Sequence, residues 1–211
     1  MEKAEDKNPR DKEGTTPLHC AAANGQLGIC QLILKNTEEK CPKDESGLTP
    51  LHGSAVKGHT LIHRMIMTVS NDKNPEDING CTPLHFAALN GHVELCRLIM
   101  DEIEDIFPNF LKCPKDKRGW TPLHCSARKG HTLIHKMIMT VSNDKNPENA
   151  DGLTPLHSAA ENGHVELCRL IMDEIEDIFP KTKDKKTPLH LATREGHTAV
   201  EDLIREYMLR K

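Results

Sequence analysis

The tetrapeptide TPLH, first found at Thr16–His19, occurs six times in this sequence of 211 residues. Successive copies begin 33, 33, 39, 33 and 33 residues apart. A nearly fixed period in this range is typical of a solenoid, in which units of one kind stack in a row. The other copies lie at Thr49–His52, Thr82–His85, Thr121–His124, Thr154–His157 and Thr187–His190.

The residues around each copy predict a pair of helices. A proline seven residues before the threonine indicates a loop, and a glycine two residues before it, in the first five units, indicates a turn. Threonine suits a helix N-cap, and the next proline suits the first helical position, where no N–H is needed. A later glycine predicts the end of this first helix. Apolar residues at helical spacing then predict a second helix, as in HVELCRLIM.

The period, the TPLHxA motif and the Gly-His pair resemble the ankyrin-repeat family, from about Asn8 to Leu209. The resemblance implies one all-α domain over residues 1–211, a solenoid of helix–turn–helix units joined by β-turn loops. It implies that first helices and turn tips line a concave face, and that the TPLH histidine bonds the backbone of adjoining loops. We expect repeats at about 8–40, 41–73, 74–112, 113–145, 146–178 and 179–211.

Some segments depart from the pattern. The third unit is six residues longer, which predicts a longer second helix and connector within DEIEDIFPNFLKCP. In the sixth unit Lys185 replaces the turn glycine, so we expect an irregular turn. The last helix has a charged outer side, as a terminal cap requires. The start, AEDKNPRDKEG, resembles the junction between two units and suggests a segment of a longer array.

Residues 40–108 and 112–180 are near copies, with 12 differences in 69 aligned positions. Ten of these positions are expected at turn tips or at the ends of first helices; eight of the ten differ, against four of the other 59. The segment DEIEDIFP, expected to be equally exposed, is unchanged. Because solenoids bind on their concave surface, the pattern favours diversification for binding, natural or engineered, over neutral drift.

The predicted binding face is apolar in repeats 2 and 3, basic around the single tryptophan in repeat 4 and acidic in repeat 5. Exposed Trp and Arg together are typical of interface hot spots. The alternative is that Trp120 stacks on Arg118 or Arg128 without any partner. We predict a protein or peptide partner with apolar and acidic segments, bound by Glu45, Ser46, Leu48, Val56, Ile78, Asn79, Cys81, Leu89, Lys117, Arg118, Trp120, Arg128, Lys129, Asp151, Leu153 and Glu161.

Composition excludes several classes of function. The net charge of −4 and the scarcity of aromatic residues argue against nucleic-acid binding. Eight cysteines without a C-x-x-C pair predict reduced thiols, and with no signal peptide we expect an intracellular, cytoplasmic protein. No apolar stretch is long enough to insert into a membrane. No motif of a hydrolase, a P-loop or a dinucleotide site is present, so we predict no enzyme and no cofactor.

Two further chemical possibilities concern side chains at motif spacing. His59 with His63, and His131 with His135, have the i, i+4 spacing of metal ligands, but no third ligand is evident, so we predict no metal site. The resemblance also implies candidate hydroxylation at Asn74 and Asn146, which occupy the loop position where ankyrin repeats can be hydroxylated.

Together these observations predict a monomeric, non-catalytic scaffold for protein–protein interaction. Two alternatives stay open. One is a regulatory segment of a larger channel or enzyme, and the other is a designed or selected binder.

Overall fold

The computed structural model describes residues 8–106 and 113–210, with the backbone alone for residues 104–106. Within these ranges the chain forms twelve α-helices and no strand. Their bounds are Pro17–Ala23 (α1), Leu27–Asn36 (α2), Pro50–Lys57 (α3), Thr60–Val69 (α4), Pro83–Asn90 (α5), Val93–Ile106 (α6), Pro122–Lys129 (α7), Thr132–Val141 (α8), Pro155–Glu161 (α9), Val165–Glu174 (α10), Pro188–Glu195 (α11) and Thr198–Arg210 (α12).

The helices form six pairs that stack in chain order. Each odd-numbered helix packs closely on the odd-numbered helices of the neighbouring pairs, and each even-numbered helix packs behind its own partner. Alanines of the first helices, such as Ala88 and Ala160, are fully buried and let these helices approach closely. The predicted all-α solenoid of six helix–turn–helix units is therefore confirmed.

The TPLH motif folds as its local chemistry predicts. In unit 3, Thr82 has extended backbone angles at the N-cap, and Pro83 takes the first helical position. The Thr82 N–H donates to His85 Nδ1 at 3.1 Å, so histidine closes a capping box that more often uses glutamate. Gly91 ends the helix with a left-handed φ of 80°. The same arrangement begins every first helix of the stack.

Two segments of identical sequence form helices of different length. Residues 93–106 and 165–178 both read VELCRLIMDEIEDI, yet α6 has 14 residues and α10 has 10. In unit 5 the chain leaves the helix after Glu174, and Ile178 enters the core with 1% exposure. Because the connector of unit 5 is six residues shorter, the chain must turn earlier to reach the next unit. The longer second helix of repeat 3 is confirmed; its predicted connector lies partly outside the described residues.

The turn of unit 6 is regular, so the expected irregularity was wrong. Lys185 adopts a left-handed φ of 60°, and its N–H donates to the Thr182 carbonyl at 2.8 Å, as glycine does in the other turns. In unit 5 a Cβ on Gly152 would lie 3.1 Å from Thr182 Cα in the following turn. Lys185 has no following turn in the described chain, so its Cβ meets no such neighbour.

Candidate partner-binding surface

The turn tips are joined by backbone hydrogen bonds that run along the stack. The Ile78 N–H donates to the Ser46 carbonyl at 2.9 Å, and the Lys117 N–H donates to the Asn79 carbonyl at 2.8 Å. Within a turn, Asp77 Oδ1 accepts the N–H groups of Asn79 and Cys81, both at 2.8 Å. The tips therefore hold their side chains in a row at fixed spacing.

The TPLH histidines bind the following unit. His85 Nε2 donates to the Trp120 carbonyl at 3.1 Å, and because its Nδ1 accepts the Thr82 N–H, the proton must lie on Nε2. Burial lowers the pKa of His85, and it lowers the pKa of His124 to about 4, so these rings stay neutral at physiological pH. The implied tie between loops is present. The five bonds join His19 to Leu48, His52 to Cys81, His85 to Trp120, His124 to Leu153 and His157 to Lys186.

The histidines that follow the helix-ending glycines bind in the opposite direction. His131 Nε2 donates to the Leu89 carbonyl of the preceding unit at 3.2 Å. Its ring lies against Gly91, where a Cβ would be 2.7 Å from the ring Cε1. The observed bonds of this kind join His92 to Val56, His131 to Leu89, His164 to Arg128 and His197 to Glu161.

These ties fall on four aligned positions, and all four differ between the two near copies. Eight of the predicted binding residues have their carbonyl groups held by a histidine of a neighbouring unit, while their side chains take no part in the bond. The backbone at these positions is therefore fixed, and the side chain can change without loss of the tie. The eight are Leu48, Val56, Cys81, Leu89, Trp120, Arg128, Leu153 and Glu161.

We call the surface formed by the sixteen predicted residues the variable face, and five of them meet in one cavity of about 270 Å³ at the joint of units 3 and 4. Turn residues form one side of it, and the exposed ends of α5 and α7 form the other. The five are Cys81, Leu89, Arg118, Trp120 and Arg128.

The cavity combines an apolar wall with a cationic rim. Burial raises the pKa of Cys125 to about 12, and burial with nearby carboxylates raises that of Cys81 to about 12, so both thiols stay protonated. Asp116 also lines the cavity, but its Oδ1 accepts the N–H groups of Arg118 and Trp120. This mixture of apolar surface and charged groups is suited to an apolar side chain of a ligand that lies next to a charged one.

Trp120 is half-buried, and its ring packs against a histidine. The Trp120 and His124 ring centroids are 5.2 Å apart at an interplanar angle of 63°. In the described part of the chain, the observed cation–π contact is that of Arg210 over Tyr207, not one at Trp120. The His124 ring thus packs at an angle against the indole, and the Trp120 side chain also lines the cavity.

Two surface ion pairs of different closeness involve charged groups of the variable face. Arg118 lies 3.4 Å from Asp151, with the two side chains 73% and 57% exposed, so this pair contributes little stability. Glu161 pairs with Arg194 of the next unit at 2.6 Å. Lys117, Arg128 and Lys129 are exposed and keep the region around Trp120 positive.

The other predicted residues lie along the same face and outside the cavity. Ile78 is the most exposed apolar group among them, at 54%. Glu45, Ser46, Asn79, Lys117, Lys129 and Asp151 are exposed, and Leu48, Val56, Leu153 and Glu161 are half-buried.

Three residues of the cavity escaped the sequence prediction: His85, Asp116 and Cys125. His85 belongs to the unchanged TPLH motif, and Asp116 has Asp44 as its counterpart in the first copy, so no difference between the copies marks either residue. Cys125 did carry a signal, because its counterpart in the first copy is Gly53, one of the few differences outside the predicted face. The residue after each TPLH motif therefore belongs to the variable positions.

The paired histidines of the HTLIH segments have separate roles. His131 bonds the Leu89 carbonyl, whereas His135 is fully buried and bonds Ser126 Oγ at 2.9 Å. Burial lowers the pKa of His63 and of His135 to about 3. Over residues 8–106 and 113–210, no group of three or more His, Cys, Asp or Glu side chains is placed to hold a metal ion.

Asn74 and Asn146 lie half-buried in equivalent connectors. Each N–H donates to the aspartate two residues earlier, at 3.1 Å. Asn146 Oδ1 accepts the Leu156 N–H at 3.1 Å, while Asn74 Oδ1 is buried and has no hydrogen-bond partner in the described part of the chain.

Comparison with known proteins agrees with this geometry. A family model described as ankyrin repeats (3 copies) matches residues 2–74, 55–148 and 132–210, which together leave out only the first and last residues. No curated protein sequence matches the chain. In the described ranges, no helix has the length and apolar character needed to cross a membrane. The chain belongs to the ankyrin-repeat family.

Proposed function

We propose that this protein is a non-catalytic scaffold that binds a protein or peptide through the concave groove and turn tips that carry the variable face. Ankyrin repeats generally serve as modules for protein–protein interaction, and the family is typically non-catalytic. We take the six repeats, with bounds close to those predicted, as one domain that acts as a monomer in the cytoplasm.

The observation that carries the proposal is the contrast between fixed backbone and changed side chains. Eight carbonyl groups of the variable face are held by histidines of neighbouring units, and these eight residues form four aligned pairs, all of which differ between the near copies. Without selection for binding, we expect no clustering of side-chain differences at residues whose carbonyl groups are held by hydrogen bonds. This contrast supports recognition by side chains on a rigid support.

The chemistry of the cavity supports a partner with an apolar side chain next to acidic residues. Leu89 and Trp120 supply apolar surface, and Arg118 and Arg128 stand at the rim. A carboxylate of the partner can accept hydrogen bonds from a guanidinium group, and the exposed lysines add favourable charge. A regulatory segment of a larger protein and a selected binder are both compatible with this mode of binding.

The test is an affinity pull-down that compares the wild-type chain with a Trp120→Ala/Arg128→Glu variant. Loss of a hot-spot aromatic and reversal of a rim charge should weaken binding of the true partner by about 100-fold or more. A Leu133→Ala/Lys136→Glu variant is the matched control, because it makes the same kinds of change on α8, at exposed residues of the same unit. A partner held equally by all three proteins would refute the assignment.

The same fold offers candidate hydroxylation sites at Asn74 and Asn146. The Asn146 side-chain oxygen is engaged by the Leu156 N–H, whereas that of Asn74 has no such bond in the described part of the chain. We therefore expect Asn74 to be modified first. Peptide mass spectrometry of the intracellularly expressed protein would show one added oxygen at Asn74, and its absence from both peptides would refute the proposal.

A further inference from the structure

Repeat 1 exposes apolar side chains at positions that later repeats cover. Ile29 is 47% exposed, and Leu32 is 64% exposed, although both lie on the second helix at places that are buried or half-buried in the later units. The counterparts of Leu32 in units 3 and 6 are exposed by 7% and 3%, and those in units 2, 4 and 5 are half-buried. The five counterparts of Ile29, none more than 2% exposed, are Ile62, Leu95, Ile134, Leu167 and Val200.

The first helix and the turn of repeat 1 are open on the same side. Pro17 is exposed, while the proline of every later TPLH motif is buried. Cys20 is exposed, while its counterpart Phe86 packs against the ring of His52 in the preceding unit, with centroids 5.6 Å apart. We call Pro17, Cys20, Ile29 and Leu32 the N-terminal stacking face.

The backbone hydrogen bonds between successive turns follow the same pattern as the side chains. In unit 2 the Glu45 N–H donates to the Glu13 carbonyl of the preceding turn at 2.9 Å. The equivalent N–H of repeat 1 belongs to Lys12, and the described part of the chain offers no earlier turn to accept it. Among the residues that the structure describes, apolar side chains and a backbone donor are therefore both without a covering unit at this end of the stack.

The opposite end of the stack has different chemistry. Arg205 occupies the place that Leu34 and four methionines fill in the earlier units, all at most 8% exposed. It lies 3.3 Å from Glu201, which stands where those units carry cysteine or histidine. Repeat arrays need polar outer faces at their ends for solubility, and Glu201 with Arg205 supplies such a face at the C-terminal end of the described stack.

We propose that the N-terminal stacking face is an interaction surface that receives a partner helix pair of the ankyrin type. The five joints inside this stack define the occupant, because in each of them the preceding helix pair covers these positions. The partner must present a leucine or methionine at the Leu34 position and a TPLH histidine. That histidine would donate to the Thr15 carbonyl, the counterpart of the Leu48 carbonyl that His19 bonds.

A second copy stacked head to tail does not meet this requirement. Its C-terminal end would bring Glu201 and Arg205 against Ile29 and Leu32, and burial of that ion pair against apolar groups is unfavourable. The partner must therefore have the apolar end that is found inside this stack.

The test adds one internal repeat to the full chain. A second copy of residues 41–73 is placed directly before Asn8, in register with the 33-residue period. Amide hydrogen exchange in α2 should slow at least tenfold, and the reaction of Cys20 with a thiol reagent should slow to a similar extent, because both become covered. Ile29→Glu with Leu32→Glu in the extended protein should reverse both effects without unfolding the chain, since both residues are exposed without the added repeat.

The matched control places the same copy after Lys211, where Glu201 and Arg205 should prevent stacking and leave exchange in α12 unchanged. Unchanged exchange in α2 and unchanged reactivity of Cys20 in the N-terminally extended protein would overturn the proposal. A concentration-dependent dimer of the unextended chain that Leu32→Glu abolishes would also overturn it, because the occupant would then be a second copy.

Discussion

His124 and His190 hold the same place in their TPLH motifs but have different surroundings. His124 is fully buried, accepts the Thr121 N–H at Nδ1 and donates to the Leu153 carbonyl, whereas His190 is exposed and has no following unit in the described chain. We predict that His124→Ala lowers the free energy of unfolding by about 2–4 kcal/mol, because two buried hydrogen bonds and packing are lost. His190→Ala should cost about 1 kcal/mol or less, since only the exposed cap is lost.

Urea denaturation of the two variants and the wild type measures this difference. Equal losses at both positions would mean that the histidine acts only within its own unit.

Ser54 and His63 form a buried pair that other units replace as a pair. Ser54 Oγ lies 2.8 Å from His63 Nδ1, and units 1, 3 and 5 have alanine and cysteine at the same two places. We predict that Ser54→Ala alone costs about 1–3 kcal/mol, because a buried imidazole nitrogen loses its partner. Adding His63→Cys to the Ser54→Ala variant should lower the free energy of unfolding much less than His63→Cys does in the wild-type chain.

A double-mutant cycle from urea unfolding gives the coupling, with Ser126 and His135 as an independent repetition. Strictly additive losses would show that the matched residues of the units do not depend on each other.

At the scale of the elements, the turn of unit 6 carries a strained residue that can be relieved. Lys185 has a φ of 60°. A left-handed conformation costs a residue with a side chain about 1–2 kcal/mol. Replacing it with glycine removes this strain, but part of the benefit is lost because glycine gives the unfolded chain more conformational entropy. We predict that Lys185→Gly raises the free energy of unfolding by roughly 0.5–1 kcal/mol.

The reverse substitution at the equivalent position of unit 5, Gly152→Lys, serves as the comparison with Lys185→Gly. Gly152→Lys should destabilise the protein more than Lys185→Gly stabilises it, because its Cβ would lie 3.1 Å from Thr182 Cα. Thermal unfolding of both variants would show opposite shifts, and a neutral Lys185→Gly would indicate that the turn carries no strain.

At the scale of the whole molecule, buried histidines make stability depend on pH. Burial lowers the pKa of His124 to about 4 and the pKa values of His63 and His135 to about 3, against an ordinary value of about 6.5 in the unfolded chain. The unfolded chain therefore binds protons that the folded chain excludes once the pH falls below about 6.5. The contribution of these neutral histidines to the free energy of unfolding is fully present above that pH, and it declines as the pH falls towards 4.

Each such histidine should contribute up to about 1.4 kcal/mol of lost stability per pH unit in this range. Urea midpoints at pH 7.5, 6.5 and 5.5 measure how steeply stability depends on pH. The double variant His135→Cys/Ser126→Ala removes one buried histidine, so its stability should depend less steeply on pH. A stability that rises on acidification from pH 7 would contradict the prediction.

The local signals of the TPLH motif were sufficient to predict the number of units, the start of each first helix and the glycines that end most of them. Each signal acts within one or two helical turns: threonine caps, proline begins and glycine ends the first helix. The comparison of the near copies located the variable positions, and it also contained the difference at Cys125 that the prediction left out.

The sequence alone therefore determined the repeated unit, because the interactions that form it are local and are written anew in every period. Tertiary structure decided the length of α6 against α10, which share one sequence, because the connector fixes where the chain must leave the helix. It also decided that Lys185 could take a left-handed turn, that Trp120 packs on His124, and that five predicted residues enclose one cavity. The cavity joins turn and helix groups of two units that lie about 30 or more residues apart, and the turn at Lys185 depends on there being no following unit in the described chain, so no local pattern specifies these two features.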